Sequence, residues 1–256
     1  MKYKKEKDSK KFYFGKQKDY SKYRPDYPKE LFEYLEKEYK LEDKKVVELG
    51  AGTGKFSKIL SSYCKKIYYV EPNIDMLNEG KNYCKICKNI EYINAAAEET
   101  TINKKDIDII FAVQCFHWFD KNKLKKEVQR ILKKDGLFII VWNDLEDENN
   151  EFSKEYFNYI SNWKIKLTGV EYQHKNNKER EDFYNNKEYK THTFIHTKKY
   201  TEEMLIGLSK SLSYAPQENE IYYEEFITGI IAIFNKYQKD NQVKFDMHTN
   251  MYIGRV

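Results

Sequence analysis

The stretch Val46-Val47-Glu48-Leu49-Gly50-Ala51-Gly52-Thr53-Gly54 decides how the chain is read. A short strand-forming run carrying one acid passes directly into three glycines at alternate positions, and a helical pattern follows at once. Glycine lets the backbone turn tightly and approach a ligand with no Cβ in the way. Ligands of open α/β sheets bind where strands end, so the loop stands in the right place. Its spacing is G-x-G-x-G rather than G-x-G-x-x-G, which disfavours an NAD-dependent oxidoreductase. Lys55 is followed by Phe56 where a P-loop requires a hydroxyl residue.

Outward from that loop, short apolar runs alternate with helical patterns. The runs are Val46–Leu49, Ile67–Val70, Ile90–Ile93, Ile107–Val113 and Leu137–Trp142. Between them, helical periodicity predicts helices over Lys55–Tyr63, Ile74–Cys87 and Lys121–Lys133, the last with Asp120 as N-cap and Gly136 just beyond its end. Such alternation implies a parallel sheet covered on both faces. Upstream, Pro28 opens a helix with Leu31, Phe32, Leu35 and Tyr39 on one face. Downstream the pattern is less regular: an acidic loop over Asp144–Glu151, then a polar stretch over His174–Lys190. Thr201 caps a helix carrying Met204, Leu205, Leu208 and Leu212, and a second helix spans Ile221–Tyr237. Val243–Ile253 is expected to close the sheet.

Composition bounds the function. The 256 residues are 34% charged, 40% hydrophobic and 16% aromatic, a globular balance. No apolar run approaches the roughly 20 residues of a membrane span, and Met1–Lys11 lacks the apolar core of a signal peptide. A cytoplasmic, membrane-free protein is expected. Residues 1–11 carry six lysines against Glu6 and Asp8, so of the net charge of +5 only +1 belongs to the rest. A basic, disordered tail on a nearly neutral body is a weak nucleic-acid footprint. Cys84 and Cys87 form a C-x-x-C, but zinc requires further ligands at matching spacing and no second pair exists. Both cysteines read as reduced packing or surface residues of a helix, and no metal is expected.

Glu71 ends the second strand, 23 residues beyond Glu48. A carboxylate there can accept hydrogen bonds from ribose hydroxyls, and Pro72 is placed to lie against an adenine face. A solvent-exposed strand-end acid is the plainer alternative, and the glycine loop weighs against it.

Here the sequence resembles the class I S-adenosylmethionine-dependent methyltransferases. Val46–Gly54 is similar to their first motif, Glu71-Pro72-Asn73 to the second and Ala95-Ala96-Ala97-Glu98 to the third. Gln114-Cys115-Phe116-His117-Trp118-Phe119-Asp120 resembles the fourth-strand end of a trans-aconitate-methyltransferase-like (methyltransferase type 11) subgroup. The opening Tyr20-Ser21-Lys22-Tyr23-Arg24-Pro25-Asp26-Tyr27-Pro28 resembles that subgroup too. The resemblance covers about residues 12–142 by eye. It implies an α/β fold: a Rossmann-like, doubly wound, mostly parallel seven-stranded sheet with an antiparallel C-terminal edge strand and helical cap elements. Residues 12–256 would form one domain, with a cofactor core over 45–142 and a cap and sheet-closing segment over 143–256.

The resemblance also implies roles. Gly50, Ala51, Gly52 and Gly54 would pass beneath S-adenosylmethionine, leaving S-adenosylhomocysteine as product. Glu48 would hold the methionine ammonium and Glu71 the ribose, with Pro72 against the adenine. Ala97, through its N–H, and Glu98 would contact the adenine edge, and Gln114 would face the methionine end. Many relatives carry aspartate where Ala96 stands, which shifts the adenine amino contact to Glu98 or to backbone. Arg24 is a candidate for the methionine carboxylate, with Tyr20 and Tyr23 closing over it; equally, Arg24 could simply anchor the N-terminal segment.

The acceptor is expected to be a small molecule, with a carboxylate favoured, in an aromatic pocket drawing on Tyr23, Phe116, Trp118 and Trp142. Trp142 reads as pocket wall or core. His117 is the one histidine beside the expected cofactor edge, as a positioning group or a base. The rivals are a nucleic-acid methyltransferase, for which the near-neutral body is a poor match, and a non-catalytic cofactor-binding protein. Monomer and dimer are both compatible with the sequence.

Overall fold

In a computed structural model the structure describes residues 17–145, 150–169, 177–184 and 189–256. The basic tail over residues 1–11 and residues 146–149 of the acidic loop lie outside the described residues. In chain order the elements are α1 (Gln17–Tyr23), α2 (Lys29–Tyr39), β1 (Lys45–Leu49), α3 (Lys55–Leu60), β2 (Lys66–Val70), α4 (Ile74–Tyr83), β3 (Ile90–Ile93), β4 (Ile107–Val113), α5 (Lys121–Ile131) and β5 (Leu132–Asp144). They continue with α6 (Glu151–Thr168), α7 (Asn177–Phe183), β6 (Lys190–Tyr200), α8 (Glu202–Lys210), α9 (Tyr223–Tyr237) and β7 (Val243–Gly254).

One seven-stranded sheet has the order β3-β2-β1-β4-β5-β7-β6. β1 to β5 are parallel, with Val46 opposite Ile67 on one side and Ile109 on the other. The order runs outward from β1 to β3, then restarts at β4 on the opposite side of β1. That reversal opens a crevice at the carboxyl ends of β1 and β4, where ligands of such sheets bind. The C-terminal strand is the antiparallel member, as expected, but it lies between β5 and β6, and β6 takes the edge. The burial patterns agree: β7 is buried at every second position or more, whereas ten of the eleven β6 residues are exposed or half-buried.

The described residues form two compact units. One holds residues 26–143, 177–184, 189–194 and 249–256. Its core lies on both faces of the parallel strands: Val47, Ile110, Leu124 and Phe138 on one side, Val46, Phe56, Phe111 and Ile139 on the other. The other unit holds residues 17–25, 144–145, 150–169 and 195–248. There α6, α8 and α9 enclose Tyr156, Leu208, Phe226 and Phe245.

Several sequence-based boundaries move. Asp120 does cap α5, accepting from the N–H of Asn122 and Lys123. The helix ends at Ile131, however, and Gly136 lies inside β5 rather than beyond a helix end. α4 ends at Tyr83, so Cys84 and Cys87 occupy the turn after the helix, not the helix itself. Thr201 caps α8 through Met204 N–H at 3.3 Å, but Leu212 falls outside that helix. Neither α6 nor β6 was expected: β6 is mostly polar, and α6 carries Phe152, Tyr156, Ile160 and Trp163 at a helical spacing that the sequence reading overlooked.

A buried polar cluster joins α5 to the chain entering β4. Glu127 accepts from Thr100 N–H at 2.8 Å and from Arg130 Nε at 2.6 Å. Burial raises the Glu127 carboxyl, but the Arg130 and Thr100 hydrogen bonds outweigh it and hold the group below its ordinary value of 4.5. This stabilisation is therefore present above the ordinary range and lost as pH falls through it. Glu127→Ala should cost about 1–3 kcal/mol of unfolding free energy at neutral pH and much less in acid. Urea titrations at both pH values check this, and an equal loss in acid would contradict it.

Candidate active site

The glycine loop occupies the crevice between β1 and β4. Gly50, Gly52 and Gly54 all take left-handed backbone angles, with φ of 63°, 59° and 82°. Side chains could not replace them: a Cβ on Gly50 would stand 3.1 Å from the Cys115 sulfur, and one on Gly54 would stand 2.8 Å from that of Cys84. Three carbonyls around the loop are held from beneath. Tyr69 Oη donates to the Gly52 carbonyl at 2.6 Å, and the Cys115 thiol to the Leu49 carbonyl at 3.0 Å. The Cys84 thiol donates to the Gly54 carbonyl at 3.5 Å. Tyr69 reaches its position only because residue 80 is glycine, where a Cβ would come within 2.0 Å of Oη.

Glu71 joins the loop to the turn after β2. Its Oε2 accepts from Gly52 N–H and its Oε1 from Asn73 N–H, both at 2.9 Å, and it is only 7% exposed. Burial pushes its carboxyl up from the ordinary value, partly offset by those two N–H groups. Each oxygen retains a second lone pair. Asn94 fixes the same turn from the end of β3, donating through Nδ2 to the Glu71 and Pro72 carbonyls at 2.8 and 3.2 Å. Asn73 caps α4 through Asp75 and Met76 N–H.

Glu48 lies beneath the loop, 2% exposed, accepting from the hydroxyl of Ser57 on α3. Burial raises its carboxyl to about 8, with Ser57 lowering it and the Glu71 charge raising it. The Thr53 hydroxyl is buried and has no hydrogen-bond partner among the described residues.

At the end of β4, Gln114 takes a left-handed φ of 59°, and its Nε2 donates to the Asn143 carbonyl at 3.2 Å. A short 3-10 turn follows over Phe116–Trp118. There His117 is exposed, its ring 4.9 Å from Trp118 and 5.3 Å from Trp142. Phe116 turns the other way into the core, edge-on to Phe183 at 5.1 Å, so it lines no pocket. Ala97 is buried, and Glu98 Oε1 accepts from the N–H of Asp120 at 2.8 Å.

Of the expected site residues, Tyr23 and Arg24 belong to the other unit. The Tyr23 ring fills the space over Gly207 and its hydroxyl donates to Glu203 at 2.8 Å. Arg24 Nε donates to Ser211 Oγ at 2.8 Å, which makes it an anchor of its segment on the turn after α8. Tyr20 lies in α1, and its side chain is outside the described residues. Sequence reasoning missed Tyr69, Asn94 and Ser57, and also the pair of Lys55 with Asp26 at 2.8 Å. The pairing of Tyr69 with Gly80 left a trace in the sequence, a glycine inside a helical pattern. Among the described residues no cluster of His, Cys, Asp and Glu could hold a metal, and no helix is long and apolar enough to cross a membrane.

A methyltransferase domain model matches residues 47–140, the loop and strands just described. An uncharacterized methyltransferase of Schizosaccharomyces pombe is 29% identical over 239 residues, covering 91% of this chain and 92% of its own. A proposed type II methyltransferase of Anaeromyxobacter dehalogenans shares the fold with a TM-score of 0.68 at 16% identity, over 91% of this chain and 97% of that one. So does a Haemonchus contortus phosphoethanolamine N-methyltransferase solved with phosphomonomethylethanolamine and S-adenosylhomocysteine, with a TM-score of 0.54 at 16% identity over 94% of this chain and 57% of that one. The chain is a class I S-adenosylmethionine-dependent methyltransferase. The residues fit that cofactor: three glycines at left-handed φ, two of them where a Cβ would intrude, a buried carboxylate with lone pairs to spare, and a buried hydroxyl in the loop itself with no partner among the described residues.

The Glu48 carboxyl gives the site a pH signature. The folded protein holds its proton up to about 8, whereas the unfolded chain releases it in the ordinary range. Stability should therefore fall as pH rises between roughly 5 and 8 through this group. Glu48→Gln should flatten that fall, read by urea unfolding across the interval; an unchanged slope would assign the effect elsewhere.

Proposed function

We propose that the chain transfers the methyl group of S-adenosylmethionine to a small-molecule acceptor, a carboxylate by preference, at the carboxyl ends of β4 and β5. The observation that carries this reading is the exposed His117 ring on the turn that follows β4, 4.9 Å from the Trp118 ring and 5.3 Å from that of Trp142 at the end of β5. The cofactor, when bound, would supply a methyl group on a sulfonium, its neutral thioether being the leaving group as the acceptor bonds the methyl carbon. What remains for the chain is to bind, orient and exclude water.

Glu71 holds the ribose hydroxyls with its spare lone pairs. Glu48 would meet the methionine ammonium, its carboxyl giving up its proton to solvent in the bound state. Pro72, Ala97 N–H and Glu98 border the adenine, and Gln114 faces the methionine end. His117, Trp118 and Trp142 orient the acceptor. Positioning of this kind can supply about 7–11 kcal/mol of barrier reduction. A carboxylate acceptor carries no proton to remove, so His117 positions rather than abstracts. The nearly neutral body offers phosphates little counter-charge, which favours small acceptors over nucleic acid.

The test is methyl transfer from labelled cofactor to a panel of small carboxylates, with bulk RNA and protein as competitors. Faster labelling of RNA or protein would overturn the reading. His117→Gln should lower kcat/KM by less than about tenfold and leave its pH profile unchanged. A loss of about 10²–10⁴-fold with a vanished acid limb would make His117 a base.

A further inference from the structure

The C-x-x-C that the reading above leaves unused lies directly under the third glycine of the loop. Cys84 is fully buried, and its thiol donates to the Gly54 carbonyl at 3.5 Å. Cys87 is half-buried and accepts from the Ser61 hydroxyl at 3.1 Å. Both thiols are free. Between the two residues Cys87 N–H donates to the Cys84 carbonyl at 2.8 Å, a hydrogen-bonded turn. Such a turn brings its first and fourth Cα atoms within about 7 Å, and a disulfide bridges about 4.4–6.8 Å.

We propose that Cys84 and Cys87 are a redox-modifiable pair, and that joining them as an intramolecular disulfide releases the Gly54 carbonyl and loosens the glycine loop. The half-buried Cys87 reacts first with a small-molecule disulfide such as oxidised glutathione, expelling one thiol and forming a mixed disulfide. Cys84 then displaces the second thiol. Two electrons and two protons pass from the protein thiols to the oxidant, which leaves as two thiols. Burial holds the Cys84 thiol at about 12, so the second step is slow and requires local opening of the turn.

The consequence for the loop follows from the hydrogen count. A disulfide sulfur has no proton to donate, so the Gly54 carbonyl loses its thiol donor and faces sulfur lone pairs instead. That carbonyl also accepts from Lys58 N–H at 2.9 Å in the first turn of α3. Gly54 packs closely over Cys84: a Cβ there would meet the Cys84 sulfur at 2.8 Å, and the residue sits at a left-handed φ of 82°. Cys115 and Cys64 are buried, with Cys115 bonded to the Leu49 carbonyl.

The effect on cofactor affinity rests on the proposed function, whereas the disulfide and the loosened loop do not. The full-length protein is equilibrated with glutathione redox buffers, and the linkage is mapped by peptide mass spectrometry. Hydrogen exchange over residues 54–60 is then compared in the reduced and oxidised forms, and S-adenosylhomocysteine affinity is measured on each. The expected result is a Cys84–Cys87 linkage, faster exchange over 54–60, and at least about tenfold weaker binding, all reversed by dithiothreitol and absent in Cys87→Ser. By linkage, tenfold weaker binding lowers the reduction potential of the ligand-free pair relative to the bound form by about 30 mV. No 84–87 linkage, or unchanged exchange in the linked protein, would overturn the proposal. A linked, loosened protein whose reduced form binds no S-adenosylhomocysteine would instead count against the proposed cofactor site, leaving the redox pair standing.

Discussion

A buried carboxylate bridging two backbone N–H groups holds this site together. Glu71 accepts from Gly52 on one side and Asn73 on the other, and so fixes the loop after β1 against the turn after β2. Burying a carboxylate is costly unless hydrogen bonds compensate it, and here two charge-assisted bonds do so. The arrangement requires β1 and β2 to end in register, which their parallel pairing from Lys45 opposite Lys66 to Leu49 opposite Val70 provides. The sheet topology, the three left-handed glycines and the acid at the second strand end are thus one structural solution.

The loop rests on side chains that a motif does not display. Tyr69, Cys84 and Cys115 each donate to a carbonyl at the loop or its entry. Their donors satisfy backbone groups that three consecutive left-handed turns leave outside any regular ladder. Glu48 contributes differently: buried against Ser57, it keeps its proton near neutrality and stores a charge that an arriving cation can draw out. The proposed cofactor site and the proposed redox pair both rest on this same small set of residues around the loop.

Much of this was legible in the sequence. The parallel core followed from strand-length apolar runs alternating with helical periodicity, and the loop from glycines at alternate positions after an acid. What was hidden had physical causes. β6 carries alternating Thr, His and Lys because it is the sheet edge, and an edge strand lacks the apolar signal of a buried one. β7 lies inside the sheet although it comes last in sequence, since an antiparallel strand can be inserted without a crossover. Phe116 stands in a run of aromatics expected to face the site, and the 3-10 turn directs it against Phe183 instead. Arg24 looked equally suited to a ligand or to anchoring, and Tyr23 was expected at the ligand; their bonds to Ser211 and Glu203 are local to their own unit.

The central claim is that Glu71 and the glycine loop form the cofactor site. Calorimetric titration with S-adenosylmethionine and S-adenosylhomocysteine, with NAD as control and with Glu71→Gln and Glu71→Ala beside the wild type, tests it most directly. The account predicts micromolar-range binding, about −8 kcal/mol, by the unmodified protein, clear weakening in the glutamine variant, stronger weakening in the alanine variant, and no comparable NAD binding. Equal affinity in all three proteins, each shown to be folded, would place the cofactor elsewhere and contradict it.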